Sequence, residues 1–234
     1  MEEYDIWYWL RQDIRFIFYK LQYLLIDQEK LNQKDREKFV KYYPKMEKII
    51  SELETFYANI PPKDISIQER KEKNLLQDNT FVYGETPWLT IISILNEIKI
   101  KPEDVFYELG CGTGRLCFFL NQCFKIKTVG FDRIGYFINV ANTLVKKLNL
   151  KDITFINDNF LNHNISEGTI FYLTPTCYSY DMMKAVNRKI KECKSGSKII
   201  SISRHLNSPY LKRKKTKIYR FSWYMARAFF YEVE

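Results

Sequence analysis

Three glycines at alternate positions, Gly110, Gly112 and Gly114, follow the apolar run Val105-Phe106-Tyr107 and the acidic Glu108. That order describes a buried strand breaking into a glycine turn and then a helix. Such a turn lets backbone press against a ligand, and the helix behind it offers free N–H groups and the positive end of its dipole. A nucleotide-like ligand suits that surface. The spacing disfavours a dinucleotide, because three positions after the second glycine stands Arg115, whose bulk would obstruct a pyrophosphate. Downstream, Lys127-Thr128-Val129-Gly130-Phe131-Asp132 reads as the next strand, and its terminal Asp132 stands where a carboxylate accepts two ribose hydroxyls. The competing interpretation is a glycine turn that only packs strand on helix, with Asp132 capping the next element.

These residues need a sheet behind them. After the turn, Arg115 to Cys123 reads as helix, Thr128 to Phe131 as strand, Tyr136 to Leu148 as helix and Ile153 to Ile156 as a short strand. Gly168 to Leu173 is a further buried strand, Asp181 to Cys193 a helix and Lys198 to Ser203 a strand. Strands alternating with helices demand right-handed parallel crossovers, hence an α/β, doubly wound, mostly parallel sheet. The basic stretch Lys212-Arg213-Lys214-Lys215 separates this core from two closing strands, Ile218 to Ser222 and Ala226 to Val233. Ahead of the core, Pro87 opens a helix from Trp88 to about Ile98. Gln33 to Tyr57 reads as helix ended by Pro61-Pro62, which gives a boundary between an N-terminal helical region, 1–62, and a ligand-binding domain, 63–234. From Ile6 through Leu10, Ile14, Ile17, Leu21 and Leu24 an apolar stripe recurs at helical spacing, suited to core packing or, with Trp7, Trp9 and Arg15, to a membrane surface.

At 234 residues and 46% hydrophobic, the chain can bury a substantial core. A formal net charge of +9 favours an acidic partner, whether nucleic acid, an acidic protein face or a membrane surface, unless it merely reflects a biased composition. The five cysteines, Cys111, Cys117, Cys123, Cys177 and Cys193, show no metal-ligand spacing, so no metal is expected and reduced thiols in the cytoplasm are the natural reading. Glu2, Glu3 and Asp5 stand where a secretory signal carries basic residues, and Arg11, Asp13 and Arg15 argue against a transmembrane segment.

The string Glu108-Leu109-Gly110-Cys111-Gly112-Thr113-Gly114 resembles motif I of the class I S-adenosylmethionine (SAM) methyltransferases. Together with Val82-Tyr83-Gly84-Glu85-Thr86 and the helix after it, it also resembles the Dot-one (disruptor of telomeric silencing) histone-lysine methyltransferases, from roughly Phe81 to the C-terminus. The resemblance implies a seven-stranded fold, SAM as cofactor with S-adenosylhomocysteine as product, and a loop that wraps the methionine end of SAM. Tyr83, Glu85 and Thr86 then become cofactor-binding candidates beside Glu108, Gly110, Cys111, Gly112, Thr113, Gly114 and Asp132. Either Glu85 or Glu108 would attract the ammonium, and Thr86 would cap the next helix or bond the ligand. Asn159 and Phe160 fall where the family embraces adenine, with Asn159 or its neighbour Asp158 accepting from the adenine amine.

The substrate side departs from the family. Thr174-Pro175 falls on its pair of asparagines, so recognition of a reacting amine passes to Thr174, Thr176, Tyr178 or backbone carbonyls. Ser222-Trp223 resembles a family pair, and Phe229-Phe230-Tyr231 falls near its channel-lining tyrosines, unless these aromatics are simply core. Thr174, Tyr178 and Tyr231 are the candidates to orient the acceptor. A lysine amine of a protein is the favoured acceptor. Small-molecule or nucleic-acid methylation, or a non-catalytic SAM-binding module, are the alternatives. The stretch Lys212 to Lys217 with Arg220 is the candidate contact for nucleic acid or an acidic surface, and otherwise a solvated loop.

Overall fold

A computed structural model describes residues 28–74 and 82–234. Seven strands form one sheet: β1 Val105–Leu109, β2 Lys127–Asp132, β3 Ile153–Asn157, β4 Ile170–Leu173, β5 Lys198–Ile202, β6 Leu211–Arg220 and β7 Met225–Val233. Their order is β3-β2-β1-β4-β5-β7-β6, parallel from β3 to β5, with β7 antiparallel between β5 and β6. Burial on both faces explains the apolar runs, and every residue of β4 is buried. Chain order reverses between β1 and β4, so a crevice opens beyond the C-terminal end of β1, where ligands of such sheets bind.

Seven α-helices lie among the described residues. They are α1 Gln28–Tyr42, α2 Glu47–Phe56, α3 Pro62–Glu72, α4 Trp88–Leu95, α5 Arg115–Phe119, α6 Gly135–Lys147 and α7 Tyr180–Lys189. The helix expected through Cys123 widens after Phe119 into a π-helical turn, Leu120–Phe124, and stops at Lys125 in the left-handed region. The stretch expected as one helix from Gln33 to Tyr57 is two, broken at Pro44, which lacks an N–H and crowds the preceding turn. The helix α2 already ends at Phe56, ahead of Pro61 and Pro62, and Pro62 instead opens α3, where its fixed φ is pre-organised for helix and its missing donor costs nothing. The expected boundary at 62/63 therefore falls on the first residues of α3.

The basic run at 212–215 is not a separator but the first half of β6, an edge strand on which lysines discourage pairing with another chain. Its charges are largely matched within the molecule. Lys212 pairs with Glu234 at 3.3 Å, Lys214 with Glu232 at 3.4 Å, and Lys215 and Lys217 both reach Glu97, at 3.0 and 2.7 Å.

The helices ahead of the sheet share its core. Phe39, Met46, Ile49, Ile50 and Leu53 belong to the same buried cluster as Phe106, Phe119, Ile170 and Ile200. The ring of Phe39 stacks on Trp88 at 4.4 Å and meets Phe119 edge-on at 5.0 Å. Asp35 of α1 caps α4, accepting from the Trp88 N–H at 2.7 Å and the Leu89 N–H at 3.2 Å. The apolar stripe from Ile6 to Leu24 lies outside the described residues. Among those described, no helix is long and apolar enough to cross a membrane.

Phe39→Ala is expected to cost about 3–5 kcal/mol, because it empties a fully buried aromatic site. Tyr42→Ala, at a 68%-exposed residue of the same helix, should stay within about 0.5 kcal/mol of wild type. Urea denaturation of both variants measures the difference; equal midpoints would mean that α1 is not part of the core.

Candidate active site

The turn after β1 is shaped by β2. The Gly110 and Cys111 N–H groups both donate to the Phe131 carbonyl, at 2.9 and 2.8 Å, and the Gly112 N–H donates to Asp132 Oδ2 at 2.7 Å. The other carboxylate oxygen accepts from the Ile134 N–H at 2.8 Å, so Asp132 ties the glycine turn to the start of α6. Burial raises its pKa, opposed by these backbone donors. Gly112 has φ +51°, and a Cβ there would lie 2.8 Å from the ring of Tyr83, which is seated on the turn. Gly114 behaves differently. It opens α5 at φ +78° with its Cβ position 2.6 Å from Phe155, so its demand is helix–sheet packing behind the cleft rather than contact with a ligand.

A cleft of 780 Å³ opens over this turn, a size suited to a nucleoside-like ligand. Tyr83, Glu85 and Thr86 line it from the segment before α4, and Glu108, Gly110, Cys111, Gly112 and Thr113 from β1 and its turn. Asp132, Asn159 and Phe160 line it from the ends of β2 and β3, and Thr174 and Tyr178 from beyond β4. The structure thus brings together every expected site residue except Gly114 and Tyr231.

The two acids expected to meet a cation differ. Glu85 is ion-paired with Arg115, whose guanidinium lies 3.8 Å above the Trp88 ring. Burial brings Arg115 down to about 10. Glu108 is 6% exposed and accepts from the Cys117 thiol at 3.2 Å; among the described residues no basic group pairs with it. Desolvation pushes its carboxyl up to about 8, partly offset by Cys117.

Other expected roles are redistributed. Thr86 does not cap α4, a task taken by Asp35; its hydroxyl lies 3.0 Å from that of Tyr172. Tyr172 pairs in register with Glu108 across β4 and β1 and lines the cleft, a polar atom in an apolar strand that sequence reasoning passed over. Arg115, whose bulk disfavours a pyrophosphate on the turn, is the ion-pair partner of Glu85. Asn159 Oδ1 accepts from the Leu161 N–H at 3.1 Å, whereas Asp158 accepts from the Asn159 N–H, the Asn162 amide and His163. Thr176 bonds Ser203 at 2.9 Å. The Tyr178 hydroxyl, 3.4 Å from the Leu109 carbonyl, hangs over the turn, and burial raises its pKa. Tyr231 is a correction. It lies on β7, its hydroxyl accepts from the Leu206 N–H at 2.9 Å, and it belongs to the buried cluster with Phe229, while Phe230 faces the opposite cluster. Strand alternation makes this aromatic run core on both faces.

Comparisons with known proteins agree with this arrangement. The family model described as "Histone methylation protein DOT1" matches residues 64–222. An H3 lysine-79-specific histone-lysine N-methyltransferase of Caenorhabditis elegans is 28% identical over 135 residues, covering 51% of this chain and 14% of that protein. A protein-lysine N-methyltransferase of Saccharolobus islandicus is 27% identical over 121 residues, covering 51% of this chain and 74% of that one. Among solved structures, an RNA methyltransferase of Salinibacter ruber in complex with S-adenosyl-L-homocysteine shares the fold, with a TM-score of 0.52 at 16% identity over 63% of this chain and 92% of that one.

The raised Glu108 carboxyl gives a stability prediction with a definite sign. The unfolded chain releases this proton near 4.5 and the folded protein holds it to about 8, so the group's contribution to stability falls as pH rises through that window. Glu108→Gln should flatten the decline in urea stability between pH 6 and pH 8. An unchanged pH profile would refute the burial of a neutral acid there.

Proposed function

The chain belongs to the DOT1 family of histone methylation proteins, and from that premise we propose that it is a SAM-dependent methyltransferase acting on a lysine amine of a protein substrate. The observation that carries the reading is the cleft itself, with an acidic group lacking a cation beside a glycine turn and an acid at the end of the next strand. The residues present fit SAM. Glu108 offers its carboxyl to the methionine ammonium, Asp132 has lone pairs left for ribose hydroxyls, and Phe160 presents a buried ring to the base, with Asn159 or Asp158 as acceptors beside it. A Cβ on Gly110 would meet only the Tyr178 hydroxyl, at 3.5 Å, so backbone is bared to a ligand there. When bound, SAM supplies an electrophilic methyl on a sulfonium and leaves as S-adenosylhomocysteine.

The protein's own task is then to place a neutral amine in line and exclude water. Thr174 and Tyr178, both on the cleft, are the acceptor-side hydroxyls we assign to orienting the nucleophile. A lysine ammonium has a reference pKa near 10.4 and must lose its proton to water before transfer, a loss that burial away from solvent favours by disfavouring the charged form. All five cysteines are free thiols, in keeping with a reducing compartment.

Transfer of labelled methyl from SAM to histones, nucleosomes, whole-cell protein, RNA and DNA tests the reading. Label is expected on protein, resistant to nuclease and mapping to lysine. Tyr178→Phe should slow transfer about tenfold or more with cofactor affinity retained. Gly112→Ala should weaken SAM binding about tenfold or more, because it forces a side chain to φ +51° and into Tyr83. Label confined to nucleic acid, or absence of SAM binding, would contradict the assignment.

A further inference from the structure

Segment 82–87, which carries Tyr83, Glu85 and Thr86, has a cavity on each side. In front is the cleft. Behind lies a second cavity of 510 Å³, lined by Tyr57, Trp88 and Ser222 among others, and sharing Glu85, Thr113 and Arg115 with the cleft. Tyr83 packs on Phe137 at 5.1 Å, but at Gly84 and Glu85 that packing does not fix where the segment stands. A turn far along the chain, between β6 and β7, grips it instead. The Glu85 N–H donates to Ser222 Oγ at 2.7 Å and the Ser222 N–H donates back to the Glu85 carbonyl at 2.9 Å. The ring of Trp223 presses on Gly84 so closely that a Cβ there would lie 2.4 and 2.6 Å from two of its carbons.

The gripping turn is itself anchored. Trp223 stacks at 4.8 Å on Phe221, which is fully buried, the Phe221 N–H donates to the Tyr224 carbonyl at 2.7 Å, and the Arg220 carbonyl accepts from Thr90 of α4 at 2.8 Å.

We propose that Ser222 and Trp223 are positioning residues for the cofactor segment, holding Tyr83 on the glycine turn and Thr86 against Tyr172. Neither lines the cleft. They act through residues 83–86, and the proposal rests on SAM being the ligand of that cleft. Without the Ser222 hydroxyl the Glu85 N–H loses its acceptor beside an open cavity, and the segment gains room to retreat. The lost order falls on binding rather than on the reacting atoms, so the signature is a rise in the Kd and KM for SAM with kcat at saturating SAM retained.

Calorimetric titration and steady-state kinetics of Ser222→Ala and Trp223→Leu test this. Both variants are expected to bind SAM about tenfold more weakly, with kcat within about twofold of wild type, and Ser222→Thr is expected to restore most of the affinity. Wild-type affinity in Ser222→Ala, or a fall in kcat with KM unchanged, overturns the proposal. Failure of the wild-type protein to bind SAM overturns the cofactor reading and this proposal together, whereas equal binding by wild type and variants overturns the proposal alone. Should either variant fail to fold, amide exchange in the wild-type protein decides. Protection of the Glu85 amide supports the grip, and free exchange there overturns it.

Discussion

A buried carboxyl without a cation of its own sets the terms for this cleft. Burying an ionised group is costly unless it is paired, so in the free protein Glu108 is held largely neutral, its carboxyl pushed up to about 8. Arg115, a cation that also lines the cleft, is engaged by Glu85 on one side and the Trp88 ring on the other. That diversion keeps a site for positive charge open at the end of β1. In the proposed function, a ligand that brings its own ammonium supplies the missing half of the pair.

Everything around Glu108 serves to keep that arrangement in place. Asp132 fixes the glycine turn through the Gly112 N–H and carries the constraint into α6 through Ile134. Asp35, from the helices before the sheet, caps α4 and so positions Trp88 under Arg115. Ser222, near the other end of the chain, meets Glu85. Residues 35, 85, 115 and 222 thus converge on one loop, which makes the N-terminal helices and the β6–β7 turn parts of the cleft's support rather than appendages.

Much of this was legible in the residues. The glycine turn announces itself because few other sequences satisfy a strand, a left-handed turn and a helix start in ten residues, and the parallel strands read clearly because burial on both faces makes them continuously apolar. Local signals failed where the deciding contact is remote. The cap on α4 is an acceptor supplied from 53 positions away, and local sequence offers only Thr86, as a cap or a ligand contact, in its place. Tyr231 looked like a channel residue because a side chain's direction on β7 depends on register with β5 and β6, which spacing alone does not reveal. The lysines of β6 read as a loop because charge masks an edge strand. Pro61-Pro62 read as a stop, although a proline at the first position of a helix is equally a start.

The measurement that bears most directly on this account is calorimetric titration of SAM into the wild-type protein at pH 6.5, in two buffers of different ionisation enthalpy, which counts protons exchanged on binding. If the ammonium of the ligand becomes the partner of Glu108, that carboxyl must ionise, and close to one proton should be released at a pH well below its raised pKa of about 8. The same titration of Glu108→Gln should show weaker binding and no such release. Tight binding by the wild-type protein without proton release would contradict the account, because the buried acid would then have stayed neutral beside its ligand.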